Sequence, residues 1–408
     1  MPLLFQINSD VNTGSTGRIA EQIGQYALSK GWESYIAYGR TSNESASKTI
    51  KIGNELDVFL HGIQSRIFDN HGLGSVLATK TLITRINKIN PDIIHLHNIH
   101  GYYINIPLLF EYLSKKGLPV VWTLHDCWAI TGHCSYFSDI DCIKWKTECN
   151  HCPKKKNYPS SWFIDRSYKN FSLKRQLFTS LNNITIVAVS KWLEGIVQES
   201  YLAKYPINVI HNGIDTNAFY PLSNCSEIKR KYGIVKDFML MGVATAWGSR
   251  KGLDDYIRLS RILSDEHAIV LVGLSKKQKE LIPSTIIGID RTESIKELAE
   301  LYSAADIILN LSNQETFGMT TVEGFSCGTP SIAYNCTANP ELITPETGII
   351  VEPGNIEQLV KAIETIKSNK KEYYSANCRK LAEMFYDKEN KYNEYLQLYE
   401  KVLNNKFV

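Results

Sequence analysis

Three groups of residues in this 408-residue chain have types and spacings that do chemistry. The first lies in SNQETFGMTTVEGFSCGTP, residues 312–330, where Glu315 and Glu323 form an E-x7-E pair around Gly318, Met319 and Thr320. Gly318 opens a helix that stops at Cys327-Gly328, with Pro330 beyond as an ordinary stop signal. The amides of Gly318, Met319 and Thr320 then stand at a helix N-terminus, where backbone N–H groups and the helix dipole attract phosphate. At 1.5 Å per residue, Glu315 and Glu323 are roughly 12 Å apart along the chain if helical. Carboxylates at that distance suit the hydroxyls at the two ends of a nucleotide-sugar, with the diphosphate between. The plainer reading makes Glu315 a helix cap and Glu323 a solvated helix residue. The second group is Arg250 and Lys251 in AWGSRKGLDDY, residues 246–256, two cations after an apolar run.

The third group is Cys134, Cys142, Cys149 and Cys152, four of the nine cysteines, inside GHCSYFSDIDCIKWKTECNHCP, residues 132–153. Four thiols ending in a C-x-x-C pair suit tetrahedral zinc in a closed, structural site. His133 and His151 flank them and are alternative ligands. A transient disulfide, ordinary reduced thiols and an iron–sulfur cluster stay open as other readings. Few aliphatic residues lie here, so a bound metal would contribute folding energy, of order 10 kcal/mol for structural zinc. Next, PKKKNYPSSWFIDRSYKNFSLKRQLF, residues 153–178, interleaves basic and aromatic residues. That pattern fits a helix lying on an anionic membrane surface, or one packed on its own domain.

These groups need a scaffold. Hydrophobic residues make up 43% and charged residues 21%, a globular composition. The net charge of +3 gives no bulk signal for nucleic acid, and none is expected as a partner. The opening MPLLFQINSD reads as a strand, not a signal peptide, and no apolar run is long enough to span a bilayer. Apolar runs predict strands at 3–8, 33–38, 93–96, 120–125 and 184–189, then at 238–244, 268–273, 307–311 and 331–334. Helical patterns alternate with them, for example at 17–30, 77–89, 252–264, 294–304, 320–327 and 356–367. This alternation predicts an α/β protein of two doubly wound, Rossmann-like domains facing a central cleft. The pattern restarts after VIHNGIDTNAFYPL. Residues 1–218 are the first domain, with a Cys-rich insert at 127–152, and 219–385 are the second. Residues 386–408 form a terminal helix that either crosses back to the first domain or caps the second. NTGSTGRIA (12–20) follows the first strand as a glycine-rich turn, either a phosphate cradle or a tight turn. TLHDCW ends another strand and brings His125 and Asp126 to its carboxyl edge. His95 and His97 share a strand face; a metal site there competes with a structural role.

The stretch SAADIILNLSNQETFGMTTVEGFSCGTPSIAYN, the pair Pro340-Glu341 and GIIVEPGN resemble the retaining GT-B glycosyltransferases of family 4, of bacterial exopolysaccharide or capsule type. The resemblance spans essentially the whole chain and is dense in the second half. It implies that Glu315 contacts donor-sugar hydroxyls and that Glu323 holds the ribose. Amides of Phe317, Gly318, Met319 and Thr320 would meet sugar and phosphates. Lys251 would neutralise the leaving diphosphate. The family's usual arginine falls on Ala246 here; Arg250 either replaces it or simply balances Asp254 and Asp255. Gly14 and Gly17 would lie near the diphosphate, and His125 near the anomeric carbon.

The resemblance implies a UDP- or GDP-linked sugar donor, a glycan or lipid-linked acceptor and retention of anomeric configuration. Catalysis would need no cofactor, structural zinc would sit at the Cys quartet, and 153–178 would touch a membrane. The expected location is the cytoplasm, at the inner face of the cell membrane where the acceptor is lipid-linked. Two rivals remain: an epimerase or hydrolase of the same fold using Glu315 and Glu323 as acid and base, and a zinc-stabilised membrane- or nucleic-acid-binding module.

Overall fold

A computed structural model describes residues 1–223 and 225–404. The chain forms two compact units, Met1–His211 with the chain from Tyr392 onward, and Asn212–Lys391. The sequence pattern divides the chain at 218/219 and 385/386, and its terminal segment includes 405–408, which lie outside the described residues. The segment after His211 joins the second unit through its backbone. The Ile214 amide donates to the Tyr386 carbonyl (2.8 Å), and the Lys388 amide donates to the Ile214 carbonyl (2.8 Å).

The first unit holds seven parallel strands: β1 (Leu3–Asn8), β2 (Glu33–Tyr38), β3 (Lys48–Lys51), β4 (Ile93–Leu96), β5 (Val120–Leu124), β6 (Ile184–Ala188) and β7 (Ile207–Val209). Their order is β3-β2-β1-β4-β5-β6-β7. β4, β5 and β6 are buried along their whole length. That is what a parallel sheet covered on both faces requires, and why these runs lack polar alternation. Three tyrosines of the helix Lys388–Asn404, namely Tyr392, Tyr395 and Tyr399, join the core of Leu4, Ile93 and Val121. Two reach into the sheet with their hydroxyls: Tyr399 bonds His95 Nδ1 (2.7 Å) and Tyr395 bonds Thr123 Oγ1 (3.1 Å).

The second unit holds six parallel strands: β8 (Phe238–Val243), β9 (His267–Val272), β10 (Ile286–Ile289), β11 (Ile307–Asn310), β12 (Ser331–Tyr334) and β13 (Gly348–Val351). Their order is β10-β9-β8-β11-β12-β13. In both units the order reverses direction once, between β1 and β4 and between β8 and β11. Open α/β sheets bind ligands beyond the carboxyl ends of strands at such a point. Strands β3, β7, β10 and β13 escape the sequence pattern. They are edge or near-edge strands, short and only partly buried, so their hydrophobic signal is weak.

The 153–178 stretch is not one surface helix. Its helix covers only Ser167–Phe178 and turns Phe171, Lys174 and Phe178 inward. The Lys174 ammonium donates to the carbonyls of Trp128 (2.8 Å) and Thr131 (3.1 Å) and lies over the Trp128 ring. Burial lowers the Lys174 pKa to about 7, and its donors are spent on these buried carbonyls, so the helix core is not available to a bilayer. Trp162, Phe163, Ile164 and Tyr168 stay exposed.

Candidate active site

The loops leaving β8 and β11 meet at the reversal point of the second sheet. Lys251 ends a short 3-10 turn, Ser249–Lys251, and Gly252 follows with φ 71°. A Cβ on Gly252 would lie 2.1 Å from the Leu311 carbonyl oxygen, so only glycine permits this approach. The two loops are then tied together. Asn313 donates its amide to the Arg250 carbonyl (2.9 Å), and Arg250 Nη1 donates to the Gln314 carbonyl (3.2 Å). Lys251 Nζ forms an ion pair with the Glu315 carboxylate. Both side chains are largely buried, 17% and 12% exposed, so the pair is not a solvated surface bridge.

Glu315 is fixed through its backbone as well. Its amide donates to Thr337 Oγ1 (2.8 Å), and its carbonyl accepts from the Ala338 amide (3.2 Å). Burial pushes its carboxyl pKa up, but Lys251, Arg250 and the Ser312 hydroxyl outweigh burial and hold it below the ordinary carboxylate value. Glu315 is therefore ionised at neutral pH and cannot act as a general acid there.

Gly318 adopts φ 104° and starts the helix Met319–Ser326, and no side chain caps that end. The first-turn amides of Met319 and Thr320 have no carbonyl within the helix to bond. One turn on, Glu323 accepts a hydrogen bond from the buried Tyr302 hydroxyl (2.7 Å). Asn310 Nδ2 donates to Thr321 Oγ1 and Asn339 Oδ1, both at 3.1 Å, bracing the helix against the turn that carries Thr337. The second unit thus brings Arg250, Lys251, Glu315, Phe317, Gly318, Met319, Thr320 and Glu323 to one sheet edge. Arg250 grips the Glu315 loop, while Asp255 pairs with Arg258 (2.9 Å) and Tyr334 (2.7 Å) instead.

The reversal point of the first unit is different in character. Gly14 has φ 63°, and nothing lies within 4 Å of a Cβ placed there. A Cβ on Gly17 would sit 3.2 Å from the Asp10 carbonyl. Gly14 serves the turn and Gly17 the close helix approach. His125, just past β5, is buried and belongs to a hydrogen-bond chain. Gln6 Nε2 donates to the Ala20 carbonyl (2.8 Å), so Gln6 Oε1 faces His97 Nε2 (3.0 Å) as acceptor. A neutral His97 then has a bare Nδ1, which accepts from His125 Nε2–H (3.1 Å). The chain assigns His125 the tautomer with its lone pair on Nδ1. Burial, opposed by Asp126 and aided by His100, lowers the His125 pKa to about 4, so the ring is neutral at pH 7. His95 and His97 are buried in the same network and are structural.

The thiols of Cys134, Cys142, Cys149 and Cys152 line one cavity of about 20 Å³ together with His133. Among the described residues, no three His, Cys, Asp or Glu side chains are already drawn together as a metal cage. His151 is exposed and does not line this cavity.

Several residues of the site had no signal in the sequence. Thr337 and Asn339 come from the turn after β12 and Tyr302 from the helix Ile295–Ala304, and they act only through folding. Gln314, beside Glu315, is buried with its Oε1 unpartnered; its neighbour's pattern gave no reason to single it out.

Two parallel Rossmann-like sheets with this site define the GT-B class of glycosyltransferase fold. Solved structures of that form cover nearly the whole chain. Sucrose-phosphate synthase from Thermosynechococcus elongatus superposes with a TM-score of 0.74 at 15% identity, over 99% of this chain and 100% of that one. Anabaena HepE in complex with UDP-glucose gives a TM-score of 0.68 at 14% identity, over 98% and 99%. Residues 16–218 match the family model Glycosyltransferase Family 4, and residues 225–383 match Glycosyl transferases group 1. The chain belongs to these group 1/family 4 glycosyltransferases and is a glycosyltransferase. WcaC of Escherichia coli (strain K12), whose name assigns it to glycosyl transfer in colanic acid biosynthesis, is 24% identical over 88% of this chain and 89% of its own.

Proposed function

We propose that the chain is a retaining glycosyltransferase of cell-surface polysaccharide synthesis, acting on a UDP- or GDP-linked sugar and a glycan or lipid-linked acceptor. The observation that carries this reading is the buried, ionised Glu315–Lys251 pair beside the uncapped N-terminus of Met319–Ser326. The relative named for colanic acid synthesis and the UDP-glucose complex of HepE support the pathway and donor class.

In this reading the diphosphate takes Lys251 from Glu315 and also meets the amides of Phe317 to Thr320. Glu315, released from the lysine, accepts hydrogen bonds from donor-sugar hydroxyls. Glu323, oriented by Tyr302, accepts from the ribose. Lysine and helix amides stabilise negative charge as the bond from the anomeric carbon to the phosphate oxygen breaks. The acceptor oxygen attacks on the face that phosphate leaves and passes its proton to the departing phosphate oxygen. Retention follows because bond breaking and bond making share one face. His125, neutral with a lone pair on Nδ1, accepts from a sugar hydroxyl. No step needs a metal.

Contact with a membrane bearing a lipid-linked acceptor belongs to the same reading. Trp162 and Phe163 are 55% and 72% exposed, and the Trp162 amide bonds the Arg66 carbonyl (2.7 Å) at the end of the helix Glu55–Phe68. That helix leaves Leu56, Phe59 and Leu60 exposed. Among the described residues, no helix is long and apolar enough to cross a membrane. The test is a panel of nucleotide-sugars by thermal shift, then mass spectrometry and NMR of products with lipid-linked acceptors. Sugar transfer with an unchanged anomer supports the reading. Donor turnover with no acceptor dependence overturns it.

A further inference from the structure

We propose that Cys134, Cys142, Cys149 and Cys152 form a structural zinc site with four sulfur ligands, separate from the transfer chemistry. The cysteines come from different turns of one segment yet line one cavity of about 20 Å³, together with His133. That volume suits a single small sphere. The second observation is the hydrogen bonding at sulfur. The Gly132 amide donates to Cys149 and the Lys154 amide donates to Cys152. Gly132 is required for its part: a Cβ there would lie 2.1 Å from the Ser167 carbonyl oxygen and 2.8 Å from Cys149 Cβ.

A third observation is His133. Its side chain is buried, its Nδ1 bonds Asp69 (2.7 Å), and its Nε2 is buried with no partner. An unsatisfied buried nitrogen is costly. His133 lines the same cavity as the four cysteines, where a metal-bound thiolate would supply the acceptor. The site is not closed in the chain alone: Cys134 shares its hydrogen bond with Cys152. Zinc replaces that S–H···S contact with two S–Zn bonds, and each thiol bound releases its proton to solvent.

The fold gives such a site work to do. Between β5 and the helix Ser167–Phe178 the chain forms only short 3-10 turns, such as Ser138–Ile140 and Lys144–Lys146. Its own core is little more than the stacked pair Phe137 and Trp145, 5.1 Å apart. The same segment presents Tyr158, whose hydroxyl bonds His100 Nδ1 (3.0 Å), while His100 pairs with Asp126 (2.9 Å) beyond the end of β5. Zinc pins the segment that carries Tyr158.

The experiment uses the full chain purified without chelator. Elemental analysis should find stoichiometric zinc, and cobalt(II) in its place should show the absorption of a tetrahedral tetrathiolate. Cys149→Ser and Cys142→Ser should each lose most of the metal, and Cys225→Ser, in the second unit, should keep it. Should Cys149→Ser fail to fold, the half-buried Cys142 variant and the cobalt spectrum of the unmutated chain still decide. Protein without zinc that takes up neither zinc nor cobalt(II) overturns the proposal. So does a native Cys134–Cys152 disulfide found by mass spectrometry. Loss of metal in His133→Ala with retention in Cys142→Ser, and a spectrum of three sulfurs and one nitrogen, overturns the four-sulfur assignment.

Discussion

The reversal points of the two sheets share one topology and differ in charge. In the second unit the edge carries ions: Arg250, Lys251, Glu315 and Glu323. In the first, the corresponding place carries a buried chain of neutral groups, Gln6, His97 and His125, next to the Asp126 carboxylate that pairs with His100. Parallel sheets with the same logic therefore do not dictate the chemistry at their edges; the loop residues do. Under the proposed function, a dianionic leaving group belongs with the charged edge, and sugar hydroxyls with neutral acceptors such as His125.

The most damaging change to this division should be Glu315→Gln. It keeps shape and removes charge, and kcat/KM for transfer should fall about 100-fold or more, the scale of losing one preorganised electrostatic group. An unchanged rate would remove Glu315 from the site. Lys251→Ala should act on two readouts. Transfer should fall by about 100-fold, and stability to urea should drop by about 3 kcal/mol because a largely buried carboxylate loses its partner. Loss of activity without loss of stability would mean that the pair is not formed in solution.

The histidine edge makes an opposite prediction about pH. Burial lowers the His125 pKa to about 4, and likewise that of His61, which lies away from that edge in the helix Glu55–Phe68. Unfolded, each ring titrates near the model value of 6.5. Between those values the unfolded chain binds more protons, so stability present above about 6.5 is lost as pH falls toward 4, by about 1.4 kcal/mol per pH unit for each such ring. Melting temperature measured from pH 7 to pH 4 should show this fall. A flat profile would place these rings in water. The smallest effect expected is Tyr399→Phe, which deletes the bond to His95 and should cost about 1 kcal/mol in urea denaturation.

Much of this was legible in order. The strands β1, β4, β5, β8 and β9 are mostly apolar runs, and the turn at Gly318 announces its helix. Glu315, Glu323 and Lys251 stand out because charge, glycine and spacing coincide. What pins Glu315 and Glu323 does not stand out: Thr337 and Tyr302 come from sequence-distant elements. The edge strands were missed because partial burial blurs their pattern. By composition the 153–178 segment fits either a helix on a membrane surface or one packed on its own domain; Lys174, buried on carbonyls and an indole, shows the helix Ser167–Phe178 packed inward, a pairing visible only in three dimensions.

The division between the edges is tested most directly by calorimetric titration of the donor's free nucleoside diphosphate, UDP or GDP, into the unmutated chain, Lys251→Ala and His125→Ala. The account predicts that Lys251→Ala weakens binding at least about tenfold, the value of roughly 1.4 kcal/mol, while His125→Ala binds as the unmutated chain does. Nucleoside diphosphate binding lost in His125→Ala and kept in Lys251→Ala would contradict it.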